Sequence, residues 1–365
     1  MKQNKIIFVI NDYGFYKTHR KELLDFLSQK NEVHLITNMK GVKKGLSNAH
    51  HLDIGRRSMN IFNNLLISYK LFQIIGKIKP THIFYVSFKP MALGILPSIF
   101  LSNVKKYLVF SGLGYAFINS GFRAKLAKAV IMIFLYIYKT LKSKFIFQNL
   151  DDLKSISKSL EVDRSQCEII AGNGIDPTKF KSKIKEETQK KITFLFVGRL
   201  LIDKGIEELI RAIELVGDRA NFILISPEDP ENHASLELER VAQLSRKENV
   251  VLHQKLNHKD VKNIFTKADI FILPSYREGL PRAALEAMCS KLPVILTDVP
   301  GCRECVIHNE NGFMVQPQNA ESLVEAINKF IQNPNMIKKM GLKSYQIVEE
   351  KFSNGKIFQQ YLELL

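Results

Sequence analysis

The sequence has 365 residues, of which 45% are hydrophobic and 24% are charged. This length favours two domains, and the composition is close to that of soluble globular proteins, which argues against a disordered chain, a collagen-like repeat and a polytopic membrane protein. The formal net charge of +17 is large enough to attract polyanions.

The excess of positive over negative charge lies entirely in the first half of the chain. Residues 1–190 contain 31 Lys or Arg and 13 Asp or Glu, whereas residues 191–365 contain 22 and 23. Between Asp53 and Asp151 there is no acidic residue, although this stretch contains 14 Lys or Arg. Such a concentration of positive charge would attract nucleic acid, an anionic membrane surface or a phosphorylated small molecule. Because the sequence contains no recognisable nucleic-acid-binding module, we expect no nucleic-acid partner.

A basic apolar segment, residues 121–144, lies inside this acid-free stretch. Its cationic ends flank an apolar centre at residues 129–138, which is too short to span a bilayer. Two interpretations remain open: a core helix with solvated lysine ends, or a helix partly exposed at a membrane-facing surface. A second apolar run, residues 91–101, is interrupted by Pro97 and is predicted to be core.

The cysteines and the N-terminus indicate the cytoplasm. The four cysteines, Cys167, Cys289, Cys302 and Cys305, form no disulfide framework and no zinc-ribbon spacing, so we expect reduced thiols. The apolar run at residues 6–10 is too short for the hydrophobic core of a signal peptide.

Short β-rich runs alternate with longer helical segments in both halves of the chain. The predicted strands are residues 6–10, 33–37, 82–87, 107–110 and 145–147, then 192–197, 222–225, 250–252, 270–273 and 294–296. Such alternation predicts an α/β protein with two doubly wound parallel sheets in series. We expect domains at residues 1–176 and 192–351, joined by a turn-rich and polar linker at 177–191. Ligands of such sheets bind beyond the carboxyl ends of the strands, so the site should lie in the cleft where the two domains face each other.

The first loop whose residues suggest a chemical role follows the predicted strand 192–197. Gly198 and Gly205 would permit close backbone approach, and Arg199 and Lys204 bring two cations near the start of a helix, which already favours anions. The loop suits a diphosphate, although ordinary surface charges on a βα turn are the alternative. It is not a Walker A loop, because its spacing differs from that of the motif and it lacks the motif's Ser or Thr.

The second loop follows the predicted strand 270–273. Glu278 precedes a helix predicted to begin at Pro281, a favoured first helical residue, and Glu286 lies within that helix. The amides of Gly279 and Leu280 can receive phosphate oxygens, while two carboxylates eight residues apart can contact different hydroxyls of one extended ligand. The alternative is a helix-capping glutamate and a surface glutamate.

The third loop, residues 299–306 and 308–315, is rich in turn residues, with Asn311 and Gly312 as a turn signal. By itself it indicates structural turns only.

The three loops, in this order and spacing, resemble glycosyltransferase family 4, the retaining nucleotide-sugar transferases of the GT-B fold. The N-terminal half is similar to the branch that builds capsule, O-antigen and lipid-linked glycans, through residues 110–117, the basic segment, residues 145–152 and residues 172–176. The resemblance therefore implies two Rossmann-like domains that face a cleft, with a C-terminal helix, residues 352–365, that returns to the first domain.

The resemblance also implies roles for individual residues. Arg199 and Lys204 would bind the donor diphosphate, Glu286 the ribose hydroxyls and Glu278 hydroxyls of the transferred sugar. Donor-binding backbone would come from Gly14, Gly198, Gly279 and Leu280, and the catalytic residues would be Arg199, Lys204 and Glu278.

On the acceptor and membrane side, the resemblance points to Tyr13, His19, Ser111, Gly112, Arg123, Lys125 and Lys128. The glycine loop at residues 11–14 has one glycine where many relatives have two. The histidine that the family often has after a middle strand of the first domain is absent, because that loop reads Ser111, Gly112, Leu113, Gly114. The leaving diphosphate would then accept the acceptor's proton, with charge stabilisation supplied by the protein. The neighbouring Asp151 and Asp152 are interpreted as a helix cap rather than metal ligands.

The function implied is a retaining, metal-independent transfer of an N-acetylhexosamine or related hexose, without a cofactor. The donor would be a nucleotide sugar, expected to be UDP-linked, and the acceptor a saccharide on undecaprenyl diphosphate at the cytoplasmic face of the inner membrane, where the enzyme would bind the anionic surface peripherally. The alternatives are a nucleotide-sugar epimerase of the same fold and a basic nucleic-acid-binding protein.

Overall fold

A computed structural model describes residues 3–42, 48–55, 61–114, 117, 121–180, 191–227, 236–254 and 258–365. The chain forms two compact units. The first unit comprises Met1–Gly174 together with Asn354–Leu365, and the second comprises Ile175–Ser353. Of the predicted linker at 177–191, Pro177–Lys179 forms a short 3₁₀ turn, and residues 181–190 lie outside the described residues.

The first unit is built on a parallel sheet of seven strands. They are β1 (Lys5–Asp12), β2 (Glu32–Asn38), β3 (Ala49–His51), β4 (His82–Val86), β5 (Lys105–Val109), β6 (Lys144–Phe147) and β7 (Cys167–Ile169), in the order β3-β2-β1-β4-β5-β6-β7. The order reverses direction between β1 and β4, which is the position where a doubly wound sheet binds its ligands.

Two helical layers cover this sheet. One contains Ile61–Ile78, Phe88–Leu93, Ile95–Phe100, Phe122–Thr140 and Leu150–Leu160. The other contains Lys21–Leu27 and the C-terminal helix Asn354–Glu363. Because both faces are covered, the central strands are apolar at residues 6–10, 83–86 and 107–109; Phe8, Phe84 and Tyr107 form a continuous ring stack with centroids 4.6 and 4.3 Å apart.

The segment after β1 differs from the predicted glycine loop. The strand continues to Asp12, whose Oδ1 accepts a hydrogen bond from Phe15 N at 2.8 Å. A short helical turn then passes into a π-helical turn at Tyr16–Arg20 and into Lys21–Leu27. Gly14 therefore lies inside a helical segment, and residues 11–14 form a strand end and the start of a helical turn instead of the predicted glycine loop, because the Asp12 carboxylate caps a helix directly at the strand end.

The apolar run at residues 91–101 also differs from the prediction. The chain bends at Gly94, where an added Cβ would lie 2.3 Å from the Tyr85 ring, and Pro97 sits within Ile95–Phe100. Ile99 and Phe100 are exposed, so this run is only partly core. The helix cap predicted at Asp151 and Asp152 is also shifted, because Asn149 is the capping residue, accepting from Asp152 N at 2.8 Å.

The second unit contains a parallel sheet of six strands. They are β8 (Thr193–Val197), β9 (Asn221–Ile225), β10 (Val250–His253), β11 (Ile270–Leu273), β12 (Val294–Thr297) and β13 (Gly312–Val315), in the order β10-β9-β8-β11-β12-β13. The helices are Ile206–Val216, Leu238–Ser245, His258–Phe265, Arg282–Cys289, Ala320–Gln332 and Met336–Ile347. The order again reverses, between β8 and β11.

The two doubly wound parallel sheets confirm the predicted fold class. Three short strands, β3, β7 and β13, were not predicted. The third loop is accordingly more than a pair of turns, because Gly312–Val315 adds an edge strand beside β12. All four cysteines are free and buried.

Candidate active site in the second unit

The first and second loops leave adjacent strands on either side of the reversal in strand order. The first follows β8 and the second follows β11, and β8 pairs directly with β11. The third loop follows β12, the next strand in the sheet. Parallel strands end at the same edge, so all three loops emerge together at the position expected for a ligand of this sheet.

An ion pair joins the first two loops. Lys204 Nζ donates to Glu278 Oε1 at 2.5 Å, and the same oxygen accepts from Ser275 Oγ at 2.7 Å. Burial lowers the pKa of the Lys204 ammonium, but the charge and hydrogen bond of Glu278 outweigh this effect, and the net pKa is raised. Lys204 therefore keeps its positive charge in the site, and Glu278 is held by two donors.

Gly205 fixes the distance between these loops. It adopts the left-handed conformation with φ +69°, and a Cβ at this position would lie 2.0 Å from the Pro274 carbonyl oxygen. Tyr276 N donates to Asp203 O at 2.9 Å nearby. Only glycine permits both the backbone conformation and the approach, so the close approach predicted for Gly205 is made to the neighbouring loop.

The third loop supports the segment that carries Glu278. Gly301 has φ +78°, and an added Cβ would lie 2.5 Å from the Glu278 carbonyl oxygen. Glu278 N donates to Pro300 O at 3.1 Å, and the Thr297 hydroxyl donates to the Ser275 carbonyl. This supporting role was missed, because it depends on contacts between loops more than twenty residues apart.

Glu286 lies inside the helix Arg282–Cys289, which begins one residue after Pro281; Pro281 is the N-cap rather than the first helical residue. The Glu286 side chain is only 8% exposed, and its Oε1 accepts from Arg282 Nε at 3.0 Å. A buried carboxylate held on one oxygen retains acceptor capacity on the other. The Arg282 contact, one helical turn away, was also missed, although its spacing of four residues is the usual one for helical ion pairs.

One further carboxylate, that of Glu208, lies on the helix that follows the first loop. Tyr276 Oη donates to Glu208 Oε1 at 2.8 Å, and burial, followed by this hydrogen bond to a carboxylate, raises the pKa of the Tyr276 phenol. These contacts tie the second loop to the helix Ile206–Val216, which follows the first loop.

Except for Gly14, which lies in the first unit, the other predicted donor-site residues lie in the same loops. Arg199 is exposed, directly after Gly198 at the end of β8, and Gly198 N donates to Ile225 O at 2.9 Å. Gly198 does not adopt a left-handed conformation. Gly279 is buried and Leu280 half-buried between Glu278 and the helix.

The residues predicted for the acceptor side lie in the first unit, as does Gly14, which was predicted to bind the donor. Tyr13, Gly14 and His19 belong to the helical segment after β1; the His19 ring stacks on Phe15 with centroids 4.5 Å apart, and its Nδ1 lies 2.6 Å from Thr18 Oγ1. Ser111 and Gly112 follow β5, and Gly112 has φ +100°. Residues 115 and 116 of the motif at 110–117 lie outside the described residues.

The basic segment forms the helix Phe122–Thr140, and Arg123, Lys125 and Lys128 are exposed on it. Within the described part of the chain, no helix combines the length and apolarity needed to cross a bilayer. Across the same residues, no cluster of three or more His, Cys, Asp or Glu side chains is arranged to hold a metal ion.

Comparison with known proteins agrees with this geometry. The family Glycosyl transferases group 1 matches residues 177–347, which contain all three loops. The chain is 26% identical over 323 residues to the N,N'-diacetylbacillosaminyl-diphospho-undecaprenol alpha-1,3-N-acetylgalactosaminyltransferase of Campylobacter jejuni, covering 86% of this chain and 84% of that protein. It is 24% identical to the capsular polysaccharide biosynthesis glycosyltransferase CapM of Staphylococcus aureus, covering 99% and 96%.

Solved structures support the fold over the whole chain. Sucrose-phosphate synthase from Thermosynechococcus elongatus has a TM-score of 0.81 at 18% identity and covers 99% of this chain and 98% of its own. Anabaena Alr3699/HepE, solved in complex with UDP and glucose, has a TM-score of 0.77 at 17% identity, with 99% of each chain covered. The predicted resemblance is confirmed: residues 177–347 match the group 1 glycosyl transferases, the two relatives are named as transferases of a lipid-linked glycan and of capsule, and the whole chain shares the GT-B fold of its structural neighbours.

Proposed function

We propose that this glycosyltransferase moves an N-acetylhexosamine or related hexose from a UDP-linked donor to a saccharide carried on polyprenyl diphosphate, with retention of anomeric configuration and without a metal ion. The observation that carries the proposal is the Lys204–Glu278 pair at the strand-order reversal of the second unit. It places a cation suited to a diphosphate beside a carboxylate suited to sugar hydroxyls.

The donor would lie across the three loops. In the proposal, Arg199 and Lys204 bind the diphosphate, Glu278 accepts hydrogen bonds from the transferred sugar, and Gly279 and Leu280 provide backbone amides. Glu286 binds the ribose hydroxyls, and its contact with Arg282 at 3.0 Å fixes the orientation of its carboxylate. The assignment is supported by the burial of Glu286, since a buried carboxylate needs hydrogen-bond donors.

The reaction would break the bond between the anomeric carbon and the donor diphosphate and form a bond from that carbon to the acceptor hydroxyl oxygen on the same face. The departing phosphate oxygen takes the hydroxyl proton. Negative charge grows on the diphosphate as the bond breaks, so the two cations act more strongly on the transition state than on the bound donor. Their charges perform the task that a divalent cation performs in metal-dependent transfer.

The acceptor proposal is supported by the relatives. The Campylobacter jejuni relative is named for an undecaprenol-diphosphate-linked acceptor and for N-acetylgalactosamine transfer, and the Staphylococcus aureus relative for capsule synthesis. We assign acceptor contacts to Tyr13, His19, Ser111 and Gly112 in the first unit. A lipid-linked acceptor confines the reaction to a membrane, and the proposal places the enzyme peripherally on its anionic cytoplasmic face, attracted by Arg123, Lys125 and Lys128.

The decisive experiment is product analysis of a UDP-sugar panel with and without a polyprenyl-diphosphate-linked saccharide. We expect a lengthened lipid-linked product with the same anomeric configuration as the donor, formed equally well in EDTA. An altered sugar nucleotide formed without acceptor would instead identify the epimerase. Turnover that EDTA abolishes and magnesium or manganese restores would contradict the role of the two cations.

The ribose assignment is tested by Glu286→Gln. The loss of a charged acceptor for two hydroxyls should raise the donor KM roughly 10- to 100-fold, since such bonds contribute about 1.5–3 kcal/mol. Glu214→Gln is the matched control, because Glu214 also pairs with an arginine on its own helix, at 3.5 Å from Arg211, but is 43% exposed. A Glu286→Gln enzyme with the control's KM would refute the assignment.

A further inference from the structure

The outer surface of one helical layer in the first unit is apolar over three helices. Its exposed large side chains are Phe62, Leu65, Leu66 and Tyr69 on Ile61–Ile78, Ile99 and Phe100 on Ile95–Phe100, and Phe122, Leu126, Val130, Ile133 and Tyr136 on Phe122–Thr140. We refer to these eleven residues as the apolar face. Phe62 and Phe122 are 84% and 81% exposed, far more than packing of a core helix permits.

The three helices lie side by side on the same face of the sheet. The helix Ile95–Phe100 packs against the other two, and the rings of Phe72 and Phe100 are 5.9 Å apart. The buried residues of the two long helices, such as Leu71 and Leu135, belong to one core cluster under this layer. Their exposed stripes are on the opposite sides of the helices and therefore point away from the sheet in a common direction.

The helix Phe122–Thr140 shows two apolar stripes. At 3.6 residues per turn, its exposed apolar residues fall within an arc of about 120°, opposite the buried arc that contains Ala124, Leu135 and Tyr138. Arg123 lies at one edge of the exposed stripe and Lys125 at the other, whereas Lys128 lies further round the helix, closer to the buried arc. A helix that is apolar on its outer side and flanked by cations is typical of a helix lying in a membrane interface.

The charge around the apolar face favours anionic lipid over a second copy of the chain as the partner that covers it. Residues 54–150, which contain all three helices, have no Asp or Glu. If a second copy of the chain covered the face through the same surface, cations would meet cations with no carboxylate from these helices to pair them. Anionic lipid supplies both the hydrocarbon for the aromatic side chains and the negative charge for the Lys and Arg.

We propose that the apolar face inserts into an anionic bilayer and that insertion, in addition to charge attraction, holds the enzyme on the membrane. The inference deepens the proposed function, in which the acceptor is lipid-linked, by assigning the contact to three helices. Because burial of apolar surface is not screened by salt, attachment should persist at an ionic strength that removes a purely electrostatic contact.

The test is sedimentation with phosphatidylglycerol-containing vesicles, without substrate. Wild type should bind, and a measurable fraction should stay bound in about 1 M salt, where the Debye length is ~3 Å. The variant Phe62→Ser/Phe100→Ser/Phe122→Ser should lower the partition coefficient roughly a hundredfold, since each ring contributes about a factor of five or more when it leaves water. The control Val251→Ser/Leu342→Ser removes exposed apolar side chains of the second unit and should bind as wild type.

A second measurement does not depend on sedimentation. Because the four native cysteines are buried, Leu126→Cys can be labelled with an environment-sensitive fluorophore, which should shift to the blue on vesicle addition, whereas a label at Val251→Cys should not. Equal sedimentation of the serine variant and wild type, or full release of wild type by salt, would overturn the inference. So would a wild-type dimer that the serine variant dissociates, since the face would then be covered by a second copy.

Failure of the inference can be separated from failure of the proposed function. Hydrolysis of the donor sugar in the absence of vesicles should be the same in wild type and in the serine variant, because the substituted rings lie outside the donor loops. A protein that binds vesicles but has no transferase activity with any UDP-sugar would refute the proposed function alone. A protein with normal transfer to a soluble acceptor but no vesicle binding would refute the insertion alone.

Discussion

The two units hold their buried and half-buried cations with different partners. The second unit pairs its partly buried cations with carboxylates: Lys204 with Glu278 and Arg282 with Glu286. The first unit buries Arg20 completely against a phenol, with Nη1 donating to Tyr361 Oη at 2.7 Å and the guanidinium 5.7 Å from the centre of the same ring. The Lys204–Glu278 pair lies at the strand-order reversal of its sheet, whereas the helices between residues 61 and 140 of the first unit contain no carboxylate.

Lys204→Ala tests the pairing in the second unit and should have the largest effect. In the proposed mechanism it removes a charge that stabilises the departing diphosphate, and it leaves Glu278 without its cation, so kcat should fall roughly 100- to 1000-fold, about 3–4 kcal/mol in the barrier. Steady-state kinetics with saturating donor would measure it. Lys343→Ala is the control, since Lys343 forms an exposed pair with Glu310; equal activity of both variants would remove Lys204 from the mechanism.

Gly205→Ala tests whether the loops of the second unit need their close approach. The new Cβ would combine a left-handed φ with a collision against the Pro274 carbonyl, and we expect a loss of about 3 kcal/mol or more in the free energy of unfolding. Gly41→Ala is the matched control in the first unit, because Gly41 has φ +81° with no atom within 4 Å of the added Cβ. It should lose about 1 kcal/mol. Similar losses in the two denaturation curves would show that conformation alone matters.

The strands and the charged loops could be predicted from the sequence because their signals are local. The strand β11 has the predicted bounds, since an apolar run specifies it. Strands β3 and β7 are short and contain His50, His51 or Glu168, so they lack an apolar run. The requirement for glycine at 301 arises from the Glu278 carbonyl, a contact that no local pattern encodes. Exposure of Phe62 and Phe122 is likewise a property of packing, because their helices are apolar on both sides.

Acidification should weaken the first unit through His82. Burial, followed by the charge of Lys105, lowers the pKa of His82 to about 4, so the folded protein keeps this imidazole neutral while the unfolded chain protonates it near 6.5. The contribution to stability is therefore complete above about pH 6.5, falls as the pH drops and levels off below about pH 4, with a total loss of up to about 3 kcal/mol. Urea denaturation of wild type and His82→Gln across this range would measure it. If the two proteins lose stability in parallel, His82 is not the group responsible.

Tyr361→Phe should have the smallest effect and tests how the first unit holds its buried cation. The substitution keeps the ring that lies against Arg20 but removes the hydroxyl that accepts from Nη1, and Nε and Nη2 of the same guanidinium already have no hydrogen-bond partner within the described residues. A buried charged donor that loses its acceptor should cost about 1–3 kcal/mol, seen as a lower midpoint in urea with an unchanged slope. Tyr69→Phe is the control, because Tyr69 is 51% exposed and its hydroxyl can bond to water. Equal midpoints would mean that the aromatic face of Tyr361, rather than its hydroxyl, stabilises Arg20. The first unit would then hold this buried cation by its contact with the ring, whereas Lys204 and Arg282 of the second unit are held by carboxylates.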